Sequence, residues 1–238
     1  MRTKYEVYCL GGNKTAVIMK NLNERDGFDA IRKIMRKHAE VEQVAIVEKV
    51  EGDKCTFRMA GGEFCGNACR AVAEFMRRNY GKDKCSIMIN RIEVKGKSNG
   101  MISEIVLSKS SLVRKVAHVN GRTLVEMNGI THVVVECEGN EELAIRIKNS
   151  VLDLISSVDA LGVMFLEGSK INPFVWVERV KTFFNETACL SGSIAVALHL
   201  GSKTTRVVQP SGQAYLITVR GEKISASGRV EFLFSGEV

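Results

Sequence analysis

The sequence predicts an α+β fold built from two halves of the same kind. Strand-like runs of apolar residues alternate with helical patterns along all 238 residues. The segment GGEFCGNACRAVAEF at 61–75 also has a counterpart, NETACLSGSIAVALHL, at 185–200. When Cys65 is aligned with Cys189, each segment places a cysteine before small residues and an Ala-Val-Ala triplet. The two cysteines lie about half the chain length apart, which indicates an internal repeat.

The first half contains a turn entering a strand, a helix, two strands and the Cys65 segment, in that order. The turn and strand are predicted at 11–19, and the strands at 41–50 and 55–59. Between them, apolar and aromatic residues recur at helical spacing on one face. These residues are Phe28, Ile31, Ile34, Met35 and His38.

The second half repeats this order. A turn and strand are predicted at 128–137, and Asn140 is a plausible N-cap for a helix that runs to about Ser156. Strands are then predicted at 160–167, 173–180 and 181–184, before the Cys189 segment. The residues expected to face inward from the helix are Leu143, Ile147, Leu154 and Ile155.

These elements divide the chain into an N-terminal domain at 1–112 and a C-terminal domain at 113–227. The join lies near 110–114, after a strand-like segment at 102–107. The last strand pattern, at 228–238, is a candidate to return to the first domain.

Charge and hydropathy exclude several classes of protein. The net charge is +7 and the isoelectric point about 9.1, but the basic residues are dispersed among 27 acidic ones. No helix-turn-helix or RNP-like pattern is present, so we expect a solvated basic surface and no nucleic-acid partner. Apolar runs fall far short of the roughly 20 residues of a membrane span, and the start MRTKYEVYCLGG has no apolar signal core. We therefore expect a cytoplasmic protein without a membrane partner.

The seven cysteines are predicted to be free thiols, because their number is odd and no export signal is seen. Cys65 and Cys69 are spaced i, i+4, but no second pair of cysteine or histidine residues completes a zinc pattern. We therefore expect no metal site.

Cys65 and Cys189 each precede small residues that begin a predicted helix. A helix start carries unpaired N–H groups and the positive end of the dipole, so it can bind a carboxylate and lower the pKa of a thiol. Two such starts that face each other would form an anion pocket flanked by two sulfurs. This pattern suits deprotonation next to a carboxylate, with a thiolate on one face and a thiol on the other.

These motifs resemble the diaminopimelate epimerase superfamily of pyridoxal-independent racemases and epimerases. Cys65-Gly66-Asn67-Ala68-Cys69-Arg70 is similar to its C-G-N-G-x-R motif, with Ala68 in place of a glycine. Ala188-Cys189-Leu190-Ser191-Gly192 is similar to A-C-G-[ST]-G, with Leu190 in place of a glycine. The resemblance runs from about residue 5 to the C-terminus. It implies two pseudo-symmetric domains, each a mixed sheet wrapped around a central helix, with the active site between them.

The resemblance also implies roles for individual residues. Cys65 and Cys189 would be the acid–base pair, and no cofactor would be needed. Glu186 would bind the substrate's α-ammonium group. The α-carboxylate would be held around Gly66, Asn67, Ala68, Leu190 and Ser191. The side-chain end would be lined by Asn13, Gln43, His132 and Asn172. The family also suggests a possible homodimer.

The sequence leaves the substrate open. The family's E-R-G arginine is absent from Asn185-Glu186-Thr187, and a buried distal carboxylate without a charged partner is costly. The G-I-T-H loop at 129–132 looks more like the histidine racemase branch, so histidine is the favoured substrate. The alternatives are diaminopimelate epimerase, proline racemase, a phenazine-biosynthesis-like isomerase and an inactive amino-acid-binding module.

Overall fold

Strands dominate the part of the chain that the structure describes, residues 3–19, 22–154 and 158–238. It is a computed structural model. The helices are α1 Glu24–Lys37, α2 Gly66–Tyr80, α3 Lys109–Leu112, α4 Glu141–Leu152 and α5 Leu190–Leu200. The strands of the first half are β1 Lys4–Leu10, β2 Asn13–Ile18, β3 Val41–Glu51, β4 Lys54–Met59, β5 Lys84–Ile89, β6 Ile92–Ser98 and β7 Ile102–Ser108. Those that follow are β8 Val113–Val119, β9 Arg122–Met127, β10 Ile130–Val135, β11 Ala160–Glu167, β12 Lys170–Val177, β13 Thr182–Asn185, β14 Thr204–Val208, β15 Ala214–Arg220 and β16 Lys223–Glu237.

The sheet is mixed and closes on itself in the first half. Its order is β1-β2-β3-β4-β5-β6-β7-β16-β15-β14-β12-β11-β10-β9-β8, with β13 on β12. The pairs β2–β3, β4–β5, β10–β11 and β12–β14 are parallel. The long strand β16 pairs with β7 through Lys223–Arg229 and with β1 through Val230–Glu237. Strands β1–β7 and β16 therefore form a barrel-like ring, and the C-terminal strand does return to β1.

Helix α2 lies within this ring. Every residue from Gly66 to Met76 is buried, which explains why the helix begins with small residues and carries alanine on several faces. It contacts β1, β2, β3, β5, β6, β7 and β16. A buried helix position fixes the location of Cys65, the residue immediately before it.

Helix α5 is the corresponding helix of the second half. Its residues Leu190–Ala197 are all buried, and it contacts β9, β10, β11, β14 and β15. It also contacts α2 directly, and one continuous hydrophobic core includes side chains of both helices. Helices α1 and α4 cover smaller cores on the outer faces of the sheet. No helix in the described ranges is long and apolar enough to span a membrane.

The predicted helices and strands recur in the structure, with two differences. Helix α4 ends at Leu152, so Leu154 lies beyond the helical repeat and is 71% exposed instead of facing inward. Ile155 and Ser156 lie outside the described residues. The strand predicted at 173–180 ends at Val177, because the chain turns through Lys181, whose φ is +51°. The structure adds α3 and the strands β1, β5, β6, β8, β9, β14 and β15. The domain division at 112/113 stays a prediction.

Candidate active site

The two helix starts have nearly the same local geometry. Cys65 is the N-cap of α2 with φ −124° and ψ 108°, and Cys189 is the N-cap of α5 with φ −130° and ψ 109°. Both helices end at a left-handed glycine, Gly81 or Gly201. Because the N-cap residue precedes the first helical turn, each thiol lies next to N–H groups that have no partner within the helix.

The helix starts pack against each other without space to spare. A Cβ atom at Gly66 would lie 2.8 Å from Cδ2 of Leu190. Glycine is therefore the residue that lets α2 approach the leucine at the start of α5. The Leu190 side chain, 1% exposed, fills the gap between the two motifs.

Asn67 connects the two halves through its side chain. Its Nδ2 donates to the carbonyl of Ala188 at 2.9 Å, and its Oδ1 accepts from the Tyr215 hydroxyl at 2.8 Å. Both polar atoms of the carboxamide thus have a protein partner. Asn67 lines the site, and its side chain holds the Cys189 loop.

Both cysteines line one cavity of about 390 Å³, a volume typical of small-molecule sites. The sequence-predicted residues on its wall are Gln43, Cys65, Gly66, Asn67, Glu186, Cys189, Leu190 and Ser191. Ala68 is buried behind Cys65, and its backbone N–H donates to the Cys65 sulfur at 3.3 Å.

A short polar path runs along the wall between the two thiols. The Cys65 thiol donates to Oε1 of Gln43 at 3.0 Å, and Nε2 of Gln43 donates to Oε1 of Glu186 at 2.9 Å. Glu186 precedes Cys189 by three residues, and the Cys189 sulfur lies 3.6 Å from the Ser191 hydroxyl. Gln43 therefore orients both the thiol of one half and the carboxyl of the other.

Burial determines the protonation states of the two thiols and of Glu186. It raises the pKa of both thiols well above the ordinary value, and the charge of nearby Glu186 raises each of them further. The backbone N–H groups of Ala68 and Gly192 act in the opposite direction. Burial also raises the pKa of Glu186 to about 8. In the empty site, both cysteines are therefore thiols and Glu186 is protonated at neutral pH.

Three residues expected at the side-chain end lie elsewhere. Asn13, at the start of β2, donates to Glu42 at 2.9 Å and accepts from Thr15. Asn172 donates to the Gly139 carbonyl at 3.0 Å, in a separate smaller cavity. His132 is fully buried on β10, and neither ring nitrogen has a hydrogen-bond partner. Burial lowers its pKa to about 3, so it is neutral.

The cavity also contains residues that sequence analysis did not single out. Glu63 lies two residues before Cys65, and its Oε2 atom is buried without a hydrogen-bond partner. Glu42 accepts from Asn13 and from the N–H of Thr187 at 3.1 Å, so it fixes the loop that carries Glu186. The remaining wall is largely apolar, with Phe28 of α1 and Phe184 of β13 among its residues.

Solved structures with the same fold are racemases, epimerases and related isomerases. A predicted epimerase from Pseudomonas aeruginosa covers 99% of both chains with a TM-score of 0.71 at 12% identity. A hydroxyproline epimerase from Agrobacterium vitis, with bound trans-4-hydroxy-L-proline, covers 100% of this chain and 91% of its own, with a TM-score of 0.68 at 8% identity. At these identities, the likeness shows the fold.

The sequence itself identifies the family. Residues 10–237 match the family model described as the histidine racemase CntK N-terminal domain, and the chain belongs to this family. A histidine racemase from Fusobacterium nucleatum subsp. nucleatum is 25% identical over 247 residues, which covers 90% of both chains. The protein is an isomerase of the amino-acid racemase class.

The contact between Gly66 and Leu190 predicts a non-additive pair of substitutions. Gly66→Ala should lower the free energy of unfolding by about 1–3 kcal/mol, because the added methyl group overpacks the contact. Leu190→Ala should cost about 2–5 kcal/mol by leaving a void. The double variant should cost less than the two together, since each change relieves the other. Urea unfolding of the four proteins checks this, and strictly additive costs would contradict the direct contact.

The raised pKa of Glu186 predicts a stability that falls as pH rises. Between the unfolded value of about 4.5 and the folded value of about 8, the unfolded chain loses the proton that the folded protein keeps. Glu186→Gln should therefore be more stable than the parent near pH 7, by about 1–3 kcal/mol, with the gain shrinking toward pH 5. Urea unfolding at both pH values measures it. The control is Glu231→Gln at an exposed position, which should show no such gain.

Proposed function

We propose that the protein is a cofactor-independent amino-acid racemase that uses Cys65 and Cys189 as its two bases, with histidine the favoured substrate. The observation that carries the proposal is the placement of two N-cap thiols on the wall of one cavity, at facing helix starts. We further propose that the two halves are pseudo-symmetric domains, and that the protein acts in the cytoplasm. The matching N-cap geometry of α2 and α5 supports the symmetry.

The substrate's α-carboxylate binds between the two helix starts. The N–H group of Asn67 is offered from α2, and those of Leu190 and Ser191 from α5, where both helix dipoles favour negative charge. The N–H group of Ala68 instead donates to the Cys65 sulfur. When the α-proton leaves, its electron pair moves into the carboxylate. The converging N–H groups stabilise the dianionic carboxylate that forms in this step.

The proton transfer occurs between the two cysteines across the α-carbon. One thiolate takes the α-proton and becomes a thiol, and the thiol on the opposite face delivers its proton to the carbon and becomes a thiolate. The configuration is thereby inverted, and the two cysteines exchange roles. Because burial favours the thiol form of both, the cysteine that acts as base must release its proton to solvent as the substrate binds. The substrate's ammonium group favours this release, since a positive charge lowers the pKa of a neighbouring thiol.

The carboxyl group of Glu186 is the natural partner of the α-ammonium group. Its Oε2 atom is buried without a hydrogen-bond partner, while Oε1 is held by Gln43. An incoming cation favours the ionised carboxylate and offsets the burial that raises its pKa. Glu186 therefore links ammonium binding to the protonation state of the site.

The charges around the cavity favour histidine over diaminopimelate. The two arginines on its wall are already paired, Arg32 with Asp29 and Arg179 with Glu24. The carboxyl groups of Glu63 and Glu186 therefore have no cation to balance them among the described residues. A second substrate carboxylate would therefore be buried in a largely apolar site without a free cation to pair with. The family match and the histidine racemase relative support the same choice.

The two-thiol mechanism predicts that each cysteine is essential. Cys65→Ser and Cys189→Ser should each lower racemisation by at least about 10²–10⁴-fold, because a hydroxyl is a far weaker acid and base at this position. The helix starts and the fold should remain intact, as measured by circular dichroism and urea unfolding. Cys137→Ser, which changes a cysteine away from the cavity, is the matched control and should keep its turnover. Near-normal turnover in Cys189→Ser would refute the mechanism.

The proposed function also predicts which amino acids exchange their α-proton and that no cofactor is needed. NMR in D₂O should detect exchange at Cα for L- and D-histidine, with an equilibrium constant near one, in protein dialysed against EDTA and without added pyridoxal phosphate. LL-diaminopimelate, proline, glutamate and leucine should exchange far more slowly. Fast turnover of diaminopimelate or of proline alone would move the protein to another branch of the superfamily. A failure to exchange any amino acid would favour a binding module.

A further inference from the structure

Glu63 has a carboxyl group on the cavity wall that the reaction itself does not use. We propose that Glu63 selects the substrate's side chain, by accepting a hydrogen bond from a ring N–H or by binding a side-chain cation. The inference rests on the proposed function and goes beyond it by naming the side-chain acceptor. In this role Glu63 takes the place of three residues that were expected at the side-chain end of the substrate and lie outside the cavity, Asn13, His132 and Asn172.

The loop that carries Glu63 holds the carboxyl group in place. This loop joins β4 to α2, and the carboxyl group of Glu63 lies against Gly61 of the same loop. Gly61 is closely covered by that carboxylate, and a Cβ atom there would collide with Oε2. Asn90 donates to the carbonyl of Gly62 and braces the loop from the β5–β6 turn.

The second half of the chain supports this loop from the other side. A Cβ atom at Gly129, in the β9–β10 turn, would lie 3.1 Å from the Cα atom of Glu63. Gly129 has φ +83°, a conformation that favours glycine, so the turn and the close approach both require this residue. An acceptor fixed from both halves has little conformational entropy to lose when a ligand binds.

One oxygen of this carboxyl group is left for a ligand. The Oε2 atom of Glu63 is buried and makes no hydrogen bond within the described residues. A buried carboxyl oxygen without a partner costs free energy that a ligand's N–H group recovers on binding. Glu63 also lines the same cavity as Cys65 and Glu186, two residues before the Cys65 thiol.

This arrangement defines the chemical class of the side chain. An imidazole N–H, or another nitrogen donor of similar reach, supplies the missing hydrogen bond to Glu63, whereas a carboxylate is repelled. An apolar ring of the same shape fits the wall but leaves Oε2 unpaired, and sites built around such an acceptor discriminate strongly against ligands that lack the donor.

The test compares two substrates whose side chains have the same shape. Thienylalanine has a five-membered ring like that of histidine but no ring N–H. Glu63→Gln should lower kcat/KM for histidine by about 10–100-fold, mainly through KM, because a hydrogen bond to a charged group is lost. Exchange at Cα of thienylalanine should change less than about threefold. Glu231→Gln, an exposed carboxylate, is the matched control and should leave both substrates unaffected.

Each result separates the inference from the proposed function. If the parent protein exchanges histidine and Glu63→Gln lowers both substrates equally, Glu63 acts on Cys65 by its charge and the selection role is wrong. If the parent exchanges no amino acid, the proposed function fails and the inference fails with it. If Glu63→Gln does not fold, the rates of the parent protein with histidine and with thienylalanine test the inference. The parent should use histidine at least about tenfold better than thienylalanine, and equal use would overturn the inference.

Discussion

The site depends on the docking of one helix start against the other. The side chain of Asn67 reaches from α2 to the Ala188 carbonyl, just before Cys189, and Gly66 lets Leu190 pack against the same turn. The hydroxyl of Tyr215 lies within hydrogen-bond distance of Oδ1 of Asn67, at 2.8 Å, and of the Leu10 carbonyl, at 2.5 Å, and its one hydrogen serves these two acceptors. Because these contacts join elements distant in sequence, the relative position of the two thiols is fixed by tertiary packing, and the local helix caps alone would leave it undetermined.

Enclosing the thiols in a dry cavity has two opposed consequences. Burial strengthens the interaction of the helix N–H groups with a carboxylate, because no water competes for it. The same burial raises the pKa of Cys65, Cys189 and Glu186 and keeps them neutral. The raised pKa values and the anion-binding character of the helix starts therefore have the same physical origin, the burial of both N-cap residues.

Most helices and strands near the site can be predicted from the sequence, whereas the positions of the polar side chains relative to the cavity cannot. Cys65 and Cys189 were assigned to helix starts because small residues and a repeat mark both positions. The positions of Asn13, His132 and Asn172, all of which lie in strands, carry no comparable signal. His132 points from β10 toward Gly162 on β11, and this orientation depends on strand register, which only the folded sheet determines. Glu63 could have been noticed as an acid two residues before the cysteine, but its unpaired oxygen is a property of the packed loop.

The two departures from the family's glycine pattern do not remove the groups that bind a carboxylate. A backbone N–H is present whatever the side chain, so Ala68 and Leu190 retain the donors that glycine would supply. Ala68 is buried and uses its N–H next to the Cys65 sulfur, and Leu190 fills space opposite Gly66. Of the two, only Leu190 lines the cavity, where its side chain occupies space that a glycine would leave open. Neither side chain removes an N–H group from a helix start, so the anion-binding character depends on the backbone of both helices.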